Sequence, residues 1–329
     1  MKLLGALGWK GAISDHFDGE RFHNLSPTAH SVGDFVKWIR TRNKVSWPRQ
    51  VPFDQRPKPP LRISDPCAIR VTFINHATVL VQMCGLNFLT DPVWSKRCSP
   101  VGFAGPMRVK LPGVALDDLP PIDIVLLSHN HYDHMDIDTL RKLHHRDRCL
   151  VLSGLGNAEY LTARGVPNCL DMDWWQVHHL GHDLGVVFTP AQHFSSRSAT
   201  DRDKTLWGGF MVHSPAGRVF FAGDTGYGPH FRMIHDRLGP PRIALLPIGA
   251  YEPRWFMKPV HMNPTDAVQA FLDLRADRAL AIHFGTFQLT DEGHQAPVAD
   301  LALALQHAAI PPDRFSVIEH GDAISLKAT

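Results

Sequence analysis

The feature that most constrains this chain is the segment at residues 124–136, where an apolar run ends in a turn crowded with metal-ligand side chains. The sequence there reads Ile-Val-Leu-Leu-Ser-His-Asn-His-Tyr-Asp-His-Met-Asp. The apolar run predicts a buried strand, and the turn after it contains His129, His131, Asp133 and His134. Imidazoles and a carboxylate crowded together lose hydration and repel unless a cation lies between them. The turn therefore predicts a metal site.

Three further candidate ligands, His193, Asp224 and His283, each stand where a later apolar run ends. In layered α/β folds the ends of strands line the functional edge, so these side chains can converge on the first turn. Seven ligands are too many for one zinc ion, which takes about four, and they suit two metal ions that share a carboxylate. We therefore expect a binuclear centre.

The seven candidates divide between two metal positions. The first would be formed by His129, His131 and His193, because the first two are on alternate residues and can point the same way. The second would be formed by Asp133, His134 and His283. Asp224 is best placed as the bridge, because a carboxylate has two oxygens to divide between cations.

The composition argues against several classes of protein. Lys and Arg number 34 against 32 Asp and Glu, so no broad positive surface for nucleic acid is expected. Five cysteines, scattered singly, fit a reducing compartment better than a disulfide framework.

No apolar stretch approaches the ~20 residues that span a bilayer, and the apolar start is too short for a secretory signal. We expect a cytoplasmic protein, with peripheral attachment to the inner face of the membrane left open.

Residues 1–66 are predicted to form an N-terminal arm or lid, and residues 67–329 a catalytic domain. The arm is rich in proline and has one helical pattern, at 31–42, which begins at the capping residue Ser31. Its apolar and aromatic residues could face lipid, although packing on the core is the simpler alternative. They are Leu3, Leu4, Leu7, Trp9, Phe35, Val36, Trp38 and Ile39.

Short apolar runs alternate with helical patterns along both halves of the domain. Strands are predicted at 69–74, 78–83, 86–90, 122–127, 149–152, 186–189, 206–213, 218–222, 243–247, 280–283 and 315–318. Helices are predicted at 137–146, 158–164, 229–238, 264–274 and 298–307. Strands mixed with helices in both halves predict two sheets with helices outside, an α/β sandwich.

Several blocks of the sequence resemble a known family. The pattern His-x-His-x-Asp-His, followed by a downstream His, Asp and His, is similar to that of the metallo-β-lactamase superfamily. Further blocks resemble its N-acyl-phosphatidylethanolamine-hydrolysing phospholipase D family, and the Tyr251–Met257 block and the Trp174-Trp175 pair specify that family. The blocks are Ala77–Val81, Leu89–Pro92, Leu119–Asp123, Ser128–His134, Asp173–Trp175, Phe221–Tyr227, Pro247–Met257 and Ile282–Phe287.

The resemblance implies a four-layer αβ/βα sandwich, with two mixed β-sheets flanked by helices and two zinc ions at one edge. It implies a phosphodiester substrate, a phospholipid that is cleaved to phosphatidic acid and an N-acylethanolamine by attack of metal-bound hydroxide on phosphorus. A diverged member of the family could act on a different phosphodiester. Asp133, as a metal ligand, and His261 would be the catalytic residues, with His261 protonating or orienting the leaving oxygen. Val260 departs from the glutamine expected in the family.

Four side chains are candidate substrate contacts, namely Tyr132, Arg197, Tyr251 and Arg254. Guanidinium groups match phosphate oxygens well, although an arginine bonded to backbone or carboxylate is an equal alternative. Other conspicuous residues are expected to be structural. Trp174 and Trp175 should fill the core or an interface, and the histidines expected to bind no metal are His145, His178, His179, His182 and His294.

Two other functions are left open by the sequence. A hydrolase of the same fold could act on a lactone, an amide or a thioester, because one fold serves many reactions. A metal-bound binding protein without turnover is the alternative from a different class. Iron or manganese could replace zinc, since both metals occupy mixed histidine and carboxylate sites. The oligomeric state is not predicted.

Overall fold

A computed structural model describes residues 5–27, 32–53, 56–181 and 183–327. The predicted lipid-facing residues Leu3 and Leu4, the predicted cap Ser31 and the predicted non-ligand His182 lie outside these ranges. The described residues contain two seven-stranded mixed sheets with helices on their outer faces. The predicted four-layer sandwich is therefore confirmed.

The first sheet consists of β1 (Ile69–Asn75), β2 (Thr78–Met83), β3 (Leu86–Thr90), β4 (Ile124–Leu127), β5 (Leu150–Gly154), β6 (Cys169–Met172) and β14 (Ala323–Leu326). The second consists of β7 (Val177–His179), β8 (Gly185–Thr189), β9 (Gly209–Ser214), β10 (Gly217–Phe221), β11 (Ile243–Pro247), β12 (Arg278–Ile282) and β13 (Phe315–Ser316). The strand orders are β14-β1-β2-β3-β4-β5-β6 and β13-β12-β11-β10-β9-β8-β7. Strands β3 to β6 run parallel, as do β10 to β13, so both sheets present the carboxyl ends of several strands together.

The helices are α1 (Val32–Thr41), α2 (Ile137–Asp147), α3 (Ala158–Thr162), α4 (His230–Leu238), α5 (Arg254–Met257), α6 (Pro264–Asp273) and α7 (Ala296–His307). Two of them start with side-chain caps. Asp136 accepts a hydrogen bond from the backbone of Thr139 at the start of α2. Asn263 and Asp266 form a reciprocal capping box at the start of α6.

Strand β4 shows how the apolar runs produce the four layers. All four of its residues are buried. Successive side chains of a strand point to opposite faces, and both faces of this strand are covered. Ile124 and Leu126 join the core between the two sheets, whereas Val125 and Leu127 pack against the outer helices with Leu140 and Leu143. Burying each such side chain stabilises the fold by about 2 kcal/mol. A strand that is buried on both faces thus reads as a continuous apolar run.

Four elements were not predicted from the sequence, namely β6, β7, β14 and α5. Strands β7 and β14 lie at sheet edges, where little apolar surface is buried and the sequence signal is weak. His178 and His179, which are expected to bind no metal, belong to β7. The final strand predicted at 315–318 is shorter and is followed by β14, which pairs with β1.

The described parts of the N-terminal arm pack against the rest of the chain. Phe17 and Phe22 are buried in the core cluster between the sheets. His16 lies 2.8 Å from a carboxylate oxygen of Asp173 and stacks on Trp174. These contacts explain why Trp174 is buried, as the sequence predicts for a core residue.

The predicted lipid-facing residues of the arm divide into two groups in the structure. Trp38 is buried and Trp9 is partly buried, so both contribute to packing. Leu7, Phe35, Val36 and Ile39 are exposed, and three of these lie on α1. In the described part of the chain, none of the helices has the length and apolar character needed to cross a bilayer.

Candidate metal centre

The candidate ligands meet because four strands end at the same place. The turn 129–134 follows β4, His193 follows β8, Asp224 follows β10 and His283 follows β12. A close approach between two of these loops depends on Gly223, which has a φ of +61°. A Cβ atom there would lie 2.6 Å from the Cβ of Ser128, so only glycine lets Asp224 come this near to the ligand turn.

The three histidines of the first predicted position converge through ring nitrogens. The Nδ1 of His131 lies 2.8 Å from Nε2 of His129 and 3.2 Å from Nε2 of His193. Nitrogens bonded to one zinc ion at 2.0–2.1 Å have to lie about this close to each other. The structure therefore brings these three residues together as a group that can hold a metal ion.

The second predicted position is formed by Asp133, His134 and His283. The Oδ2 of Asp133 lies 3.3 Å from Nε2 of each of the two histidines. The Oδ2 of Asp224 lies 3.1 Å from His134, 3.2 Å from His283 and 3.8 Å from His193. Asp224 thus lies between the two groups, where the sequence places the bridge.

One buried atom tests directly whether this donor set fits metal ions. The Oδ1 of Asp224 is buried and accepts no hydrogen bond from the residues that the structure describes. A buried carboxylate oxygen without a partner carries a large desolvation cost, which a coordinated cation would offset. Nitrogen and oxygen ligands in this number suit zinc, iron or manganese.

The opposite ring nitrogens of several ligands are already engaged. His193 donates from Nδ1 to the carbonyl of Val260 at 2.9 Å, and Nδ1 of His129 lies 2.9 Å from the Ser128 hydroxyl. Nδ1 of His134 lies 2.6 Å from Oδ2 of Asp91. Such contacts fix each imidazole in one orientation and leave its Nε2 lone pair for a metal ion. The His/Asp cluster is thus organised for metal binding.

Five of the seven predicted ligands are held in the protonation states that metal ligation requires. Burial lowers the pKa of His129 and His193 well below the usual value, and lowers the pKa of His131 to about 4. Burial alone would raise the pKa of Asp133 and Asp224, but the neighbouring histidines hold both well below the usual carboxylate value. Neutral imidazoles and ionised carboxylates are the forms that bind metal ions.

In the other two predicted ligands, His134 and His283, the carboxylates of Asp224 and Asp133 outweigh burial and raise the pKa, well above its usual value for His134 and to about 9 for His283. Metal binding therefore has to displace a proton from each of these two rings.

Two residues that the sequence did not suggest also belong to the site. His76 lies 3.0 Å from Oδ2 of Asp133 through its Nε2. Asn24, from the N-terminal arm, donates to the carbonyl of His193 and accepts from its backbone N–H. His76 follows the apolar run of β1, so the same signal that identified the other ligands was present for it.

His261 lies beside the cluster, with Nδ1 4.0 Å from Oδ2 of Asp224. It lines a cavity of about 300 Å³ that opens above the ligands. The cluster side of this cavity includes His131, Asp133 and Asp224. Apolar side chains form much of the remaining lining, namely Phe35, Trp38, Phe194, Phe256, Met257 and Leu289.

The structure places Tyr132 and Arg197, which the sequence predicts as substrate contacts, outside the lining of the cavity above the cluster. The buried Arg197 guanidinium donates from Nη1 to the carbonyls of Asn130 and Met135, at 2.6 and 3.0 Å. Tyr132 donates to the carbonyl of Arg197 at 2.9 Å and packs against its guanidinium. Both side chains therefore brace the ligand turn, and neither lines the cavity above the cluster.

The other two predicted substrate contacts, Tyr251 and Arg254, are also bonded to other parts of the protein. Tyr251 is buried and its hydroxyl donates to Asp300, so it does not line the cavity. Arg254 donates to the carbonyl of His261 at 2.9 Å and to the carboxylate of Asp266 at 2.6 Å. Its role in the structure is to hold the loop that carries His261.

We expect His76 to tune metal affinity at the second position. A carboxylate only accepts hydrogen bonds, so Nε2 of His76 must be the donor to Asp133. His76→Phe removes this donor and should weaken binding of one metal ion about 10- to 100-fold, as measured by chelator competition with metal analysis. His76→Gln, which keeps an N–H donor, should recover part of the loss. Equal metal retention by His76→Phe and the unmodified protein, both with native melting curves, would contradict this role.

The comparisons with known proteins agree with this geometry. A family model described as a beta-lactamase superfamily domain matches residues 86–284. An uncharacterised protein of Mycobacterium tuberculosis is 40% identical over 263 residues, which cover 76% of this chain and 70% of that protein. The N-acyl-phosphatidylethanolamine-hydrolyzing phospholipase D 1 of Caenorhabditis elegans is 39% identical over 228 residues, 66% of this chain and 64% of the worm protein.

A solved structure supports the fold. The isothiocyanate hydrolase from Delia radicum gut bacteria aligns with a TM-score of 0.64 at 20% sequence identity, covering 79% of this chain and all of that one. At this identity the similarity shows the fold alone. Taken together with the His/Asp cluster, the matches confirm the resemblance seen in the sequence, and the chain belongs to the metallo-β-lactamase superfamily as one of its metal-dependent hydrolases.

Proposed function

We propose that this protein is a phospholipase D-type phosphodiesterase with two metal ions, most simply zinc, that hydrolyses N-acyl-phosphatidylethanolamine-type phospholipids. The products would be phosphatidic acid and an N-acylethanolamine. The similarity to the worm relative of that name supports this assignment. The grouping of the seven ligands around Asp224 supports two metal ions.

The observation that carries the proposal is the mixed lining of the cavity above the cluster. The lining combines predicted ligands and His261 with aromatic and aliphatic side chains. Trp38 of α1 stacks on Phe256 of α5 with ring centroids 5.0 Å apart, so part of the apolar wall is a packed aromatic pair. A phospholipid has a charged phosphodiester next to apolar chains, and this cavity matches both parts.

The residues of the chain have distinct parts in the proposed reaction. Metal ions bound by the cluster would supply Lewis acidity toward the phosphoryl group and an activated water. Asp133 and Asp224 hold their negative charge, because their pKa values stay far below neutrality. Burial lowers the pKa of His261 to about 4, so its ring is neutral at pH 7 and orients the leaving oxygen by donating a hydrogen bond.

The mouth of the cavity also suits a membrane surface. Phe35, Val36 and Ile39 of α1 and Trp255 of α5 are each 40–50% exposed. Lys37 and Arg40 lie on the same helix. Apolar side chains mixed with basic ones are typical of helices that lie in a membrane interface. We therefore propose peripheral association of the protein with the cytoplasmic face of a membrane.

Product analysis with labelled water tests the proposed reaction. The metal-loaded protein should convert N-acyl-phosphatidylethanolamine to phosphatidic acid that carries ¹⁸O from the solvent, because attack occurs at phosphorus. Asp224→Ala is the matched control for contaminating enzymes and should release no product. Ring opening of an acyl lactone, or cleavage of an amide or thioester, without release of phosphatidic acid would contradict the proposal and favour another hydrolase of this superfamily. Two bound metal ions without turnover of any of these substrates would favour a binding protein.

His261→Ala tests the role of the neighbouring histidine. Loss of the hydrogen bond to the leaving oxygen should lower kcat by about 100-fold, with metal content unchanged because His261 lies outside the two predicted ligand groups. His261→Gln, which retains a side-chain N–H, should be less impaired. An unchanged kcat for His261→Ala at saturating substrate would show that the proposed role is wrong.

Sedimentation with vesicles tests the membrane-facing role of α1. Replacing Phe35, Val36 and Ile39 together by Ser should reduce binding to vesicles of phosphatidylethanolamine and phosphatidylglycerol by about tenfold or more, because apolar burial at the interface is lost. Leu303→Ser is the matched control, since Leu303 is 54% exposed on α7 and does not line the cavity. Equal binding by the triple variant and the unmodified protein would show that α1 does not contribute to vesicle binding.

A further inference from the structure

Both arginines that the sequence suggested for phosphate binding are engaged elsewhere, and one other arginine lines the cavity. Arg197 is bonded to backbone carbonyls and Arg254 to a carbonyl and a carboxylate. Among the described residues that line the cavity above the cluster, Arg202 is the one arginine, and lysine is absent. A cation in an otherwise apolar wall next to a metal cluster attracts an anionic ligand.

Arg202 is held close to the cluster by an aromatic ring. Its guanidinium carbon lies 4.3 Å from the ring centroid of Phe194. The same ring contacts His131, with centroids 4.5 Å apart, and His193, with centroids 4.9 Å apart. One phenyl ring therefore contacts both the guanidinium and two predicted metal ligands. Stacking on an aromatic face also limits the conformations of this long side chain.

Most of the N–H hydrogen-bond donors of the Arg202 guanidinium are available to a ligand. Within the described ranges its one ion-pair partner is Asp203, whose Oδ2 lies 3.4 Å from Nε. The side chain of Arg202 is about half exposed, so this pair contributes little free energy. The backbone carbonyl of Arg202 accepts a hydrogen bond from Arg21, which fixes the main chain without using the guanidinium. The two terminal nitrogens can therefore form the paired hydrogen bonds that guanidinium groups make with phosphate.

We propose that Arg202 binds the phosphoryl group of the substrate and so selects phosphodiesters over neutral esters. This inference rests on the proposed function. In the bound complex the metal cluster contacts one side of the phosphoryl group, Arg202 donates to a non-bridging oxygen from the other, and the acyl chains lie along the apolar wall. Because this contact is present in both the ground state and the transition state, its loss raises KM and leaves kcat nearly unchanged.

The experiment combines binding and kinetics for Arg202→Gln and Arg202→Lys. Calorimetric titration of the metal-loaded protein with dioctanoyl phosphatidic acid should give a Kd about 10- to 100-fold higher for Arg202→Gln. Dioctanoylglycerol, which has the same chains without phosphate, should bind equally to all forms. Arg202→Lys keeps the charge but has a single ammonium donor group, so it should recover part of the affinity. KM for N-acyl-phosphatidylethanolamine should rise by a similar factor, with kcat within about twofold of the unmodified value.

Arg237→Gln is the matched control. Arg237 also stacks on an aromatic ring at 4.3 Å, that of Trp175, but it does not line the cavity. Its substitution should leave Kd and KM unchanged. An unchanged Kd for phosphatidic acid in Arg202→Gln would overturn the proposal. The proposal would also be overturned if Arg202→Gln lost affinity for dioctanoylglycerol to the same extent, because the substitution would then have altered the apolar wall of the cavity. If the unmodified protein hydrolyses no phosphodiester, the proposed function fails, and the titration still decides whether Arg202 binds phosphate.

Discussion

The structure depends on the unfavourable desolvation of closely spaced imidazoles and carboxylates at one edge of the sandwich. Five imidazoles and two carboxylates are drawn into a volume where their ring nitrogens and oxygens lie about 3 Å apart. Removing such groups from water is costly, and the imidazoles gain little from each other. A pair of divalent cations would offset this cost, because cations balance the carboxylate charge and accept the nitrogen lone pairs. The fold can keep this arrangement only if the surrounding residues hold each ligand in place.

Much of the chain around the cluster provides that support. Asp91 accepts hydrogen bonds from the backbone and the hydroxyl of Ser128 and also contacts His134, so one buried carboxylate organises both ends of the ligand turn. Arg197 holds the same turn through two of its carbonyls. Asn24 joins the N-terminal arm to His193. The arm is thus part of the frame of the site, and α1 adds to the apolar wall of the cavity. The His/Asp cluster and the apolar lining of the cavity are thereby built on the same segments.

The sequence was sufficient for the parts of the site that depend on local pattern. Buried strands read as apolar runs, and side chains at their ends converge because parallel strands end together, so all seven predicted ligands meet in the structure. His76 was missed although it follows such a run, because a lone histidine carries little weight until its tertiary contact with Asp133 is known. His76 and His283 also have positive φ values of 46° and 60°, which residue type alone does not predict. For Arg197 and Arg254 the chemistry of the side chain suggested phosphate, but only the fold shows their partners. These are 67 and 62 residues away in the chain for Arg197, and 7 and 12 residues away for Arg254. Arg202 was missed for the same reason, since only the fold places it over Phe194 beside the cluster.

The central claim is that Asp224 lies between two metal ions held by the two ligand groups. Anomalous diffraction from crystals of the metal-loaded protein, recorded above and below the absorption edge of the metal, tests this most directly. The account predicts two anomalous peaks per chain, one beside His129, His131 and His193 and one beside Asp133, His134 and His283, with an oxygen of Asp224 about 2.0–2.2 Å from each. A single peak, or two peaks that Asp224 does not join, would contradict it.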